Sequence, residues 1–334
     1  MLSEKRRIVT GTAVTRRPTA ACAPARTPLL SAREYTAAAY NRLVMLMRVA
    51  AMLMALWLVT PSLRAADQVT LTYRAGLVQP GDVLFLAAAA PAGASTVTAT
   101  WHKREVPFVR DADGVWRALL GIDVDATSGP APLALGVVGP GSATLASTHT
   151  ITVSPKAVRT RRIRVDPKFV TPPKSALPRI AQETALLNAL FRTASPERFW
   201  APDAVRPVEG VAVSGFGVRS ILNGQPRGPH NGLDLAAITG TPVHAPTAGV
   251  VAFARAFYFS GNTVIVDHGQ GLLSTMAHLS VIDVKEGERV ATGTLLGKVG
   301  ATGRVTGPHL HWAVRLHGDR VDPLQLLDAL TPKR

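Results

Sequence analysis

Gly307-Pro308-His309-Leu310-His311-Trp312-Ala313-Val314-Arg315-Leu316 is the stretch on which the reading of the C-terminal third turns. After the Gly-Pro break the run His309–Leu316 is apolar and rich in β-favouring residues, which predicts a strand. Side chains two residues apart on a strand point to one face, so His309 and His311 share a surface. Further strands are predicted around it at Gly249–Phe253, Thr263–Asp267 and Leu272–Met276. Asn223-Gly224 reads as a tight turn, and glycines from 261 to 307 punctuate the rest. The only helix expected after residue 200 is the short Pro323–Leu330.

Two other histidines stand in settings that suit chemistry. In Pro229-His230-Asn231-Gly232-Leu233-Asp234 a histidine and an aspartate lie four apart with a glycine between them. That segment is ill suited to a helix, but a loop running into a strand can aim both side chains inward. Neutral imidazole and carboxylate are both good zinc ligands. Ala277-His278-Leu279 is expected at the end of an apolar strand. A catalytic zinc site needs three protein ligands and an open position, and histidines beside it can carry protons and stabilise developing charge. H-x-x-x-D and H-x-H are weak patterns singly; together in one β-rich region they are strong.

These residues resemble the lysostaphin-like zinc metallopeptidases, the glycyl-glycine or murein endopeptidase family. The resemblance covers about residues 207–325. It runs through Phe216–Arg219, His230–Ala237, Gly240–Val243, Gly261–Val264, Asp267–Gly269, Ala277–Leu279, Gly300–Gly303 and Thr306–Trp312. It implies that His230, Asp234 and His311 hold Zn²⁺ and that His278 and His309 act as base and transition-state stabiliser. It also implies a compact antiparallel β-sheet domain with the site in a groove, and cleavage of peptide bonds in peptidoglycan. One departure is Met276, where family members often carry Tyr two residues before the motif histidine.

Other polar residues invite plainer readings. Arg219 either contacts substrate or braces a turn, and Asn262 reads as a turn residue. His268 is expected to be structural, and His244 and His317 to be ordinary strand or surface histidines. Gly232 is expected where the backbone must turn close to the metal.

Upstream, residues 67–153 show short alternating segments at Gln68–Tyr73, Val83–Leu86, Thr96–Trp101, Leu133–Val138 and Thr148–Val153. Asp113-Gly114 lies between Val106–Val109 and Val115–Leu120, a hairpin signal. Such spacing predicts an immunoglobulin-like β-sandwich serving as a spacer or wall-binding module. Residues 154–200 form a basic, proline-rich connector whose run of arginines reads as a solvated face. A helix is expected at Arg179–Arg192, entered through Pro178 and packed between the domains. The peptidase domain is then residues 201–334, and the fold class is mainly β.

Residues 1–66 carry 10 basic and 2 acidic residues, +8 of the chain's formal +15. Their apolar stretch Val49–Val59 has the length of a signal-peptide core and is short for a membrane span. The alternative is an uncleaved membrane anchor over residues 43–63. The lone cysteine, Cys22, lies in this segment, so disulfides and thiolate metal sites are excluded downstream. No aromatic-plus-basic nucleic-acid module is present, while the positive charge favours an anionic partner such as cell wall. Together the readings give an exported zinc endopeptidase, periplasmic or extracellular, whose partner is peptidoglycan. The alternative is a non-catalytic member that binds wall or activates another hydrolase.

Overall fold

The computed structural model describes residues 69–73, 76–164 and 170–331, together with the backbone of 7–9. The signal-peptide and anchor expectations and Cys22 lie outside the described residues. Two β assemblies follow each other along the chain, each with its own apolar core.

The first holds strands β1 (Arg7–Val9), β2 (Thr70–Tyr73), β3 (Val83–Ala89), β4 (Thr96–Trp101), β5 (Arg104–Pro107), β6 (Val109–Arg110), β7 (Trp116–Gly121), β8 (Gly129–Val138) and β9 (Thr144–Val153). One sheet runs β1-β2-β3-β7-β6 and the other β5-β4-β8-β9. Alternation aims Leu84, Leu86, Leu120, Val97, Trp101, Leu133, Leu135 and Ile151 into the space between them, where all are buried. The turn at Asp113-Gly114 forms as expected, with Gly114 at φ 80° and its N–H donating to the Asp111 carbonyl.

The connector contributes β10 (Thr160–Ile163) and α1 (Leu177–Leu190). The helix lies close to its expected position but is not packed between domains. It has no buried residue and rests on the surface of the second assembly. Arg179 donates to the Ala256 carbonyl at 3.3 Å, and Glu183 accepts from the Tyr258 N–H at 2.7 Å. Its apolar stripe is too sparse to bury against two partners. The arginines of the basic run are exposed, as a solvated face requires, while the backbone of β10 also pairs in a sheet.

The second assembly contains β11 (Ala212–Ser214), β12 (Arg219–Leu222), β13 (Gln225–Pro229), β14 (Gly232–Leu235), β15 (Pro242–His244), β16 (Gly249–Phe257), β17 (Gly261–Asp267), β18 (Leu272–Ile282), β19 (Arg289–Val290), β20 (Leu295–Val299), β21 (Leu310–Leu316) and β22 (Asp319–Val321), closed by α2 (Pro323–Leu330). Its main sheet runs β11-β14-β21-β18-β17-β16-β19, all antiparallel. Leu233, Leu235, Val264, Val266, Leu272, Met276, Leu310 and Trp312 form its core. Helix α2 starts at Asp322, whose side chain accepts from the Leu324 N–H, with Pro323 in the first turn. The β12–β13 turn, Asn223-Gly224, has both residues at positive φ (49° and 82°), as a two-residue hairpin requires. β10 pairs in parallel with β12, so the connector adds the outer strand of a three-stranded sheet, β10-β12-β13.

Candidate metal centre

Strands β14 and β21 set the centre. Their register places Asp234 opposite His311 and Gly232 opposite Ala313. His230 precedes β14 and is fixed by two backbone bonds: its N–H donates to the Val218 carbonyl at 2.9 Å, and its carbonyl accepts from the Gly217 N–H at 2.8 Å. Gly232 lets the strands come this close. A Cβ there would lie 2.6 Å from the Trp312 carbonyl oxygen and 2.7 Å from His311 Cε1.

Three donor atoms converge as a result. His311 Nδ1 lies 2.8 Å from Asp234 Oδ1, His230 Nε2 lies 3.1 Å from the same oxygen, and the two ring nitrogens are 3.2 Å apart. His230 donates from Nδ1 to the Gly215 carbonyl at 3.0 Å, which leaves Nε2 free to ligate. Burial alone would raise the Asp234 pKa. Hydrogen bonding to the His230 and His311 rings outweighs it and holds the carboxyl below the usual range, so it is ionised at neutral pH. Burial lowers the His311 pKa despite Asp234, which favours the neutral, ligating imidazole. Two imidazole nitrogens and one carboxylate oxygen, half-buried and mutually within reach, fit a metal ion.

His278 and His309 flank this trio. The ring centroids of His278 lie 5.0 Å from His309 and 5.9 Å from His311, and His309 Nε2 is 3.7 Å from Asp234 Oδ1. Each donates from Nδ1 to a backbone carbonyl, His278 to Thr302 and His309 to Gly307, both at 2.9 Å, so each presents a free Nε2. Burial pulls the His278 pKa down to about 4, so this ring is neutral at pH 7. His278 does not end its strand. It sits inside β18 with φ 65°, its N–H on the Ser260 carbonyl. The left-handed residue turns the imidazole out of the pleat towards His309. His309 lies one residue before β21, held by its N–H to the Gly300 carbonyl.

The five sequence-selected residues thus meet at one place. Other histidines lie elsewhere. His268 is fully buried on the Ala248 carbonyl, and His317 is half-buried at the β21–β22 turn. Arg219 pairs with Asp125 of the first assembly at 2.9 Å. Met276 is fully buried in the core and offers no polar group to the groove. The supporting carbonyls of Gly215, Thr302 and Gly307 escaped sequence reasoning, because a carbonyl's role carries no side-chain signal.

A model of peptidase family M23 matches residues 228–323, a segment containing all five. A solved structure described as a putative peptidase M23 from Pseudomonas aeruginosa is 34% identical, with a TM-score of 0.58, over 76% of this chain and 96% of that one. The chain belongs to peptidase family M23. Membership implies a metal ion, and His230, Asp234 and His311 are the group that could hold it among the described residues. The chain is 43% identical to the peptidoglycan DD-endopeptidase ShyA of Vibrio cholerae over 29% of its own length and 23% of that protein's. It is also 43% identical to the DD-carboxypeptidase/endopeptidase Mpg of Neisseria meningitidis, over 29% and 22%. It therefore spans under a quarter of the length of these curated relatives.

Proposed function

We propose that this member of family M23 is an exported zinc endopeptidase that hydrolyses peptide bonds in the stems or cross-links of peptidoglycan. The observation that carries the reading is the convergence of His230 Nε2, Asp234 Oδ1 and His311 Nδ1 within 3.2 Å, faced by the free Nε2 atoms of His278 and His309. The names of the M23 relatives support the substrate. Zinc is the metal these donors suit: two borderline nitrogens, one carboxylate and no thiolate.

A bound zinc supplies Lewis acidity, which polarises a scissile carbonyl and lowers the pKa of water. The chain's own residues do the rest. Asp234 and the two ligand imidazoles fix the geometry. His309, whose Nε2 lies nearer Asp234, takes the proton from the attacking water and returns it to the leaving amine. His278, neutral with its Nδ1–H held on the Thr302 carbonyl, presents an Nε2 lone pair that accepts from the attacking water; only once protonated at Nε2 does it donate to the oxygen on which charge develops. The first assembly, whose strand order pairs β2-β3-β7-β6 against β5-β4-β8-β9, reads as immunoglobulin-like. No helix among the described residues is long and apolar enough to cross a membrane; export would rest on residues 1–66.

The test is digestion of purified peptidoglycan with muropeptide analysis, with and without chelator and with zinc added back. New peptide termini that vanish on chelation and return with zinc are expected. Intact peptidoglycan from folded, zinc-loaded protein would overturn the reading in favour of a non-catalytic regulator.

A further inference from the structure

The connector strand β10 begins near His230 of the candidate metal centre, and the sequence family model, which begins at residue 228, does not include it. Its position is set by backbone pairing: Thr160 lies opposite Arg219 and Arg161 opposite Ser220, and the Arg219 N–H donates to the Arg159 carbonyl at 2.9 Å. Between β10 and β11 lies a cleft of about 400 Å³ lined by Arg159, Thr160, Arg161, Val213, Ser214 and Gly215. Ser214 and Gly215 are the residues that back His230, whose Nδ1 lies 3.5 Å from the Ser214 hydroxyl and 3.0 Å from the Gly215 carbonyl. The cleft therefore lies on the Nδ1 side of His230, with one imidazole ring between it and the metal-facing Nε2.

The two arginines differ from those around them. Arg219, Arg320 and Arg255 all face carboxylates at 2.5–2.9 Å. Among the described residues Arg159 has no side-chain partner and no acidic residue lines the cleft. Arg161 is steadied by its Nε, which donates to the Ser220 hydroxyl at 3.0 Å, and its terminal nitrogens have no side-chain partner among the described residues. An oriented guanidinium with free terminal donors matches a carboxylate in a bidentate pair.

We propose that Arg159 and Arg161 form a carboxylate-recognising subsite beside the metal centre, so that the preferred substrate is a cross-linked peptide with a free carboxylate on a residue flanking the scissile bond. The inference rests on the endopeptidase reading above. Peptidoglycan stems carry such carboxylates and can also carry them as amides, which gives a matched pair of substrates. Charge-assisted hydrogen bonds at a solvent-open site discriminate by about tenfold.

The test compares kcat/KM of the zinc-loaded full chain on two synthetic cross-linked peptides, identical except that the stem carboxylates are free or amidated. The wild type is expected to prefer the free acid about tenfold, chiefly through KM. Arg159→Gln with Arg161→Gln should bring the ratio to about one, and the double lysine variant should recover part of it. No preference in the wild type, or a preference that survives the glutamines, overturns the proposal. If neither peptide is cleaved, the endopeptidase reading has failed, and the subsite is decided by fluorescence anisotropy of the same labelled peptides on His309→Ala protein. There, about tenfold weaker binding of the acid peptide after the glutamine substitutions upholds it, and equal binding refutes it.

Discussion

Replacing Gly232 with alanine tests whether the strand pairing that brings the ligands together is what makes the metal site. The new Cβ would stand 2.6 Å from the Trp312 carbonyl oxygen, 2.7 Å from His311 Cε1 and 2.9 Å from His311 Nε2. Relaxed carbon contacts lie at about 3.5–4.0 Å, so the methyl is roughly 1 Å too close on two sides. Relief has two routes. Either β14 moves off β21, breaking the Asp234–His311 register, or the His311 ring swings away. Both displace a ligand. Overpacking of this kind costs about 1–3 kcal/mol of stability. A disturbed ligand orientation costs about 10–100-fold in metal affinity. The control is Gly228→Ala, since nothing lies within 4 Å of a Cβ there and its φ is not in the left-handed region. Zinc affinity is measured by chelator competition, and stability by urea unfolding, for both variants. Zinc affinity of Gly232→Ala within twofold of the control would show that His311 is not constrained as argued.

His278→Ala and His309→Ala should each lower turnover by about 10²–10⁴-fold while zinc affinity stays near wild type, measured by peptide cleavage and chelator competition; normal turnover in both would remove the assigned proton roles. His268 gives a pH signature. Burial, against the Ala248 carbonyl bond, pulls its pKa to about 4, so the unfolded chain binds more protons below about pH 6.5 and stability falls as the pH drops towards 4. At about 1.4 kcal/mol per pH unit the loss approaches about 3 kcal/mol. His268→Gln, compared with wild type by urea unfolding from pH 7 to pH 4, should lack this part of the slope. His278 and His317 contribute with the same sign in both proteins, so parallel curves would count against His268.

What the sequence made legible followed from side chains. Alternation gave the strands, Asn223-Gly224 and Asp113-Gly114 gave their turns, and the ligand trio was visible because imidazole and carboxylate are the chemistry itself. Spacing alone did not choose the ligands: the resemblance separated His230, Asp234 and His311 from His278 and His309, while the Gly232 between His230 and Asp234 permits the close approach of the strands. Backbone relations were not legible. His278 was expected at a strand end, since nothing in Ala277-His278-Leu279 announces a left-handed residue held on Ser260. The pairing of β10 with β12 links residues nearly sixty positions apart through main-chain atoms. The arginines of β10 read as a solvated run and are exposed, but the strand their backbone forms was not foreseen. Helix α1 was placed correctly by Pro178 and its apolar spacing, yet its docking was not, because spacing shows a stripe and not what covers it.

The same distinction bears on the first assembly, expected to be a spacer or wall-binding module. Strands β3 and β7 are apolar on both faces, Val-Leu-Phe-Leu-Ala-Ala-Ala and Trp-Arg-Ala-Leu-Leu-Gly, a pattern of sheets covered on both sides. Leu84, Leu86 and Leu120 fill the sandwich, whereas Val83 and Leu119 point outward and are buried in the core of the second assembly. Gly121 marks the closest approach, where a Cβ would meet Val321 Cγ1 at 2.9 Å. Around this apolar contact Arg320 binds Asp123 at 2.6 Å and Asp125 at 2.9 Å, Asp125 also holds Arg219 of the β12 wall, and Arg104 pairs with Asp319. Strand β22, which carries Asp319 and Arg320, is the partner of β21, and β21 carries His311. The sandwich thus braces the strand pair that positions a ligand and, through Asp125, the wall that carries β10. In this chain the candidate metal site is held by the packing of both assemblies, although the side chains that could hold the ion come from one.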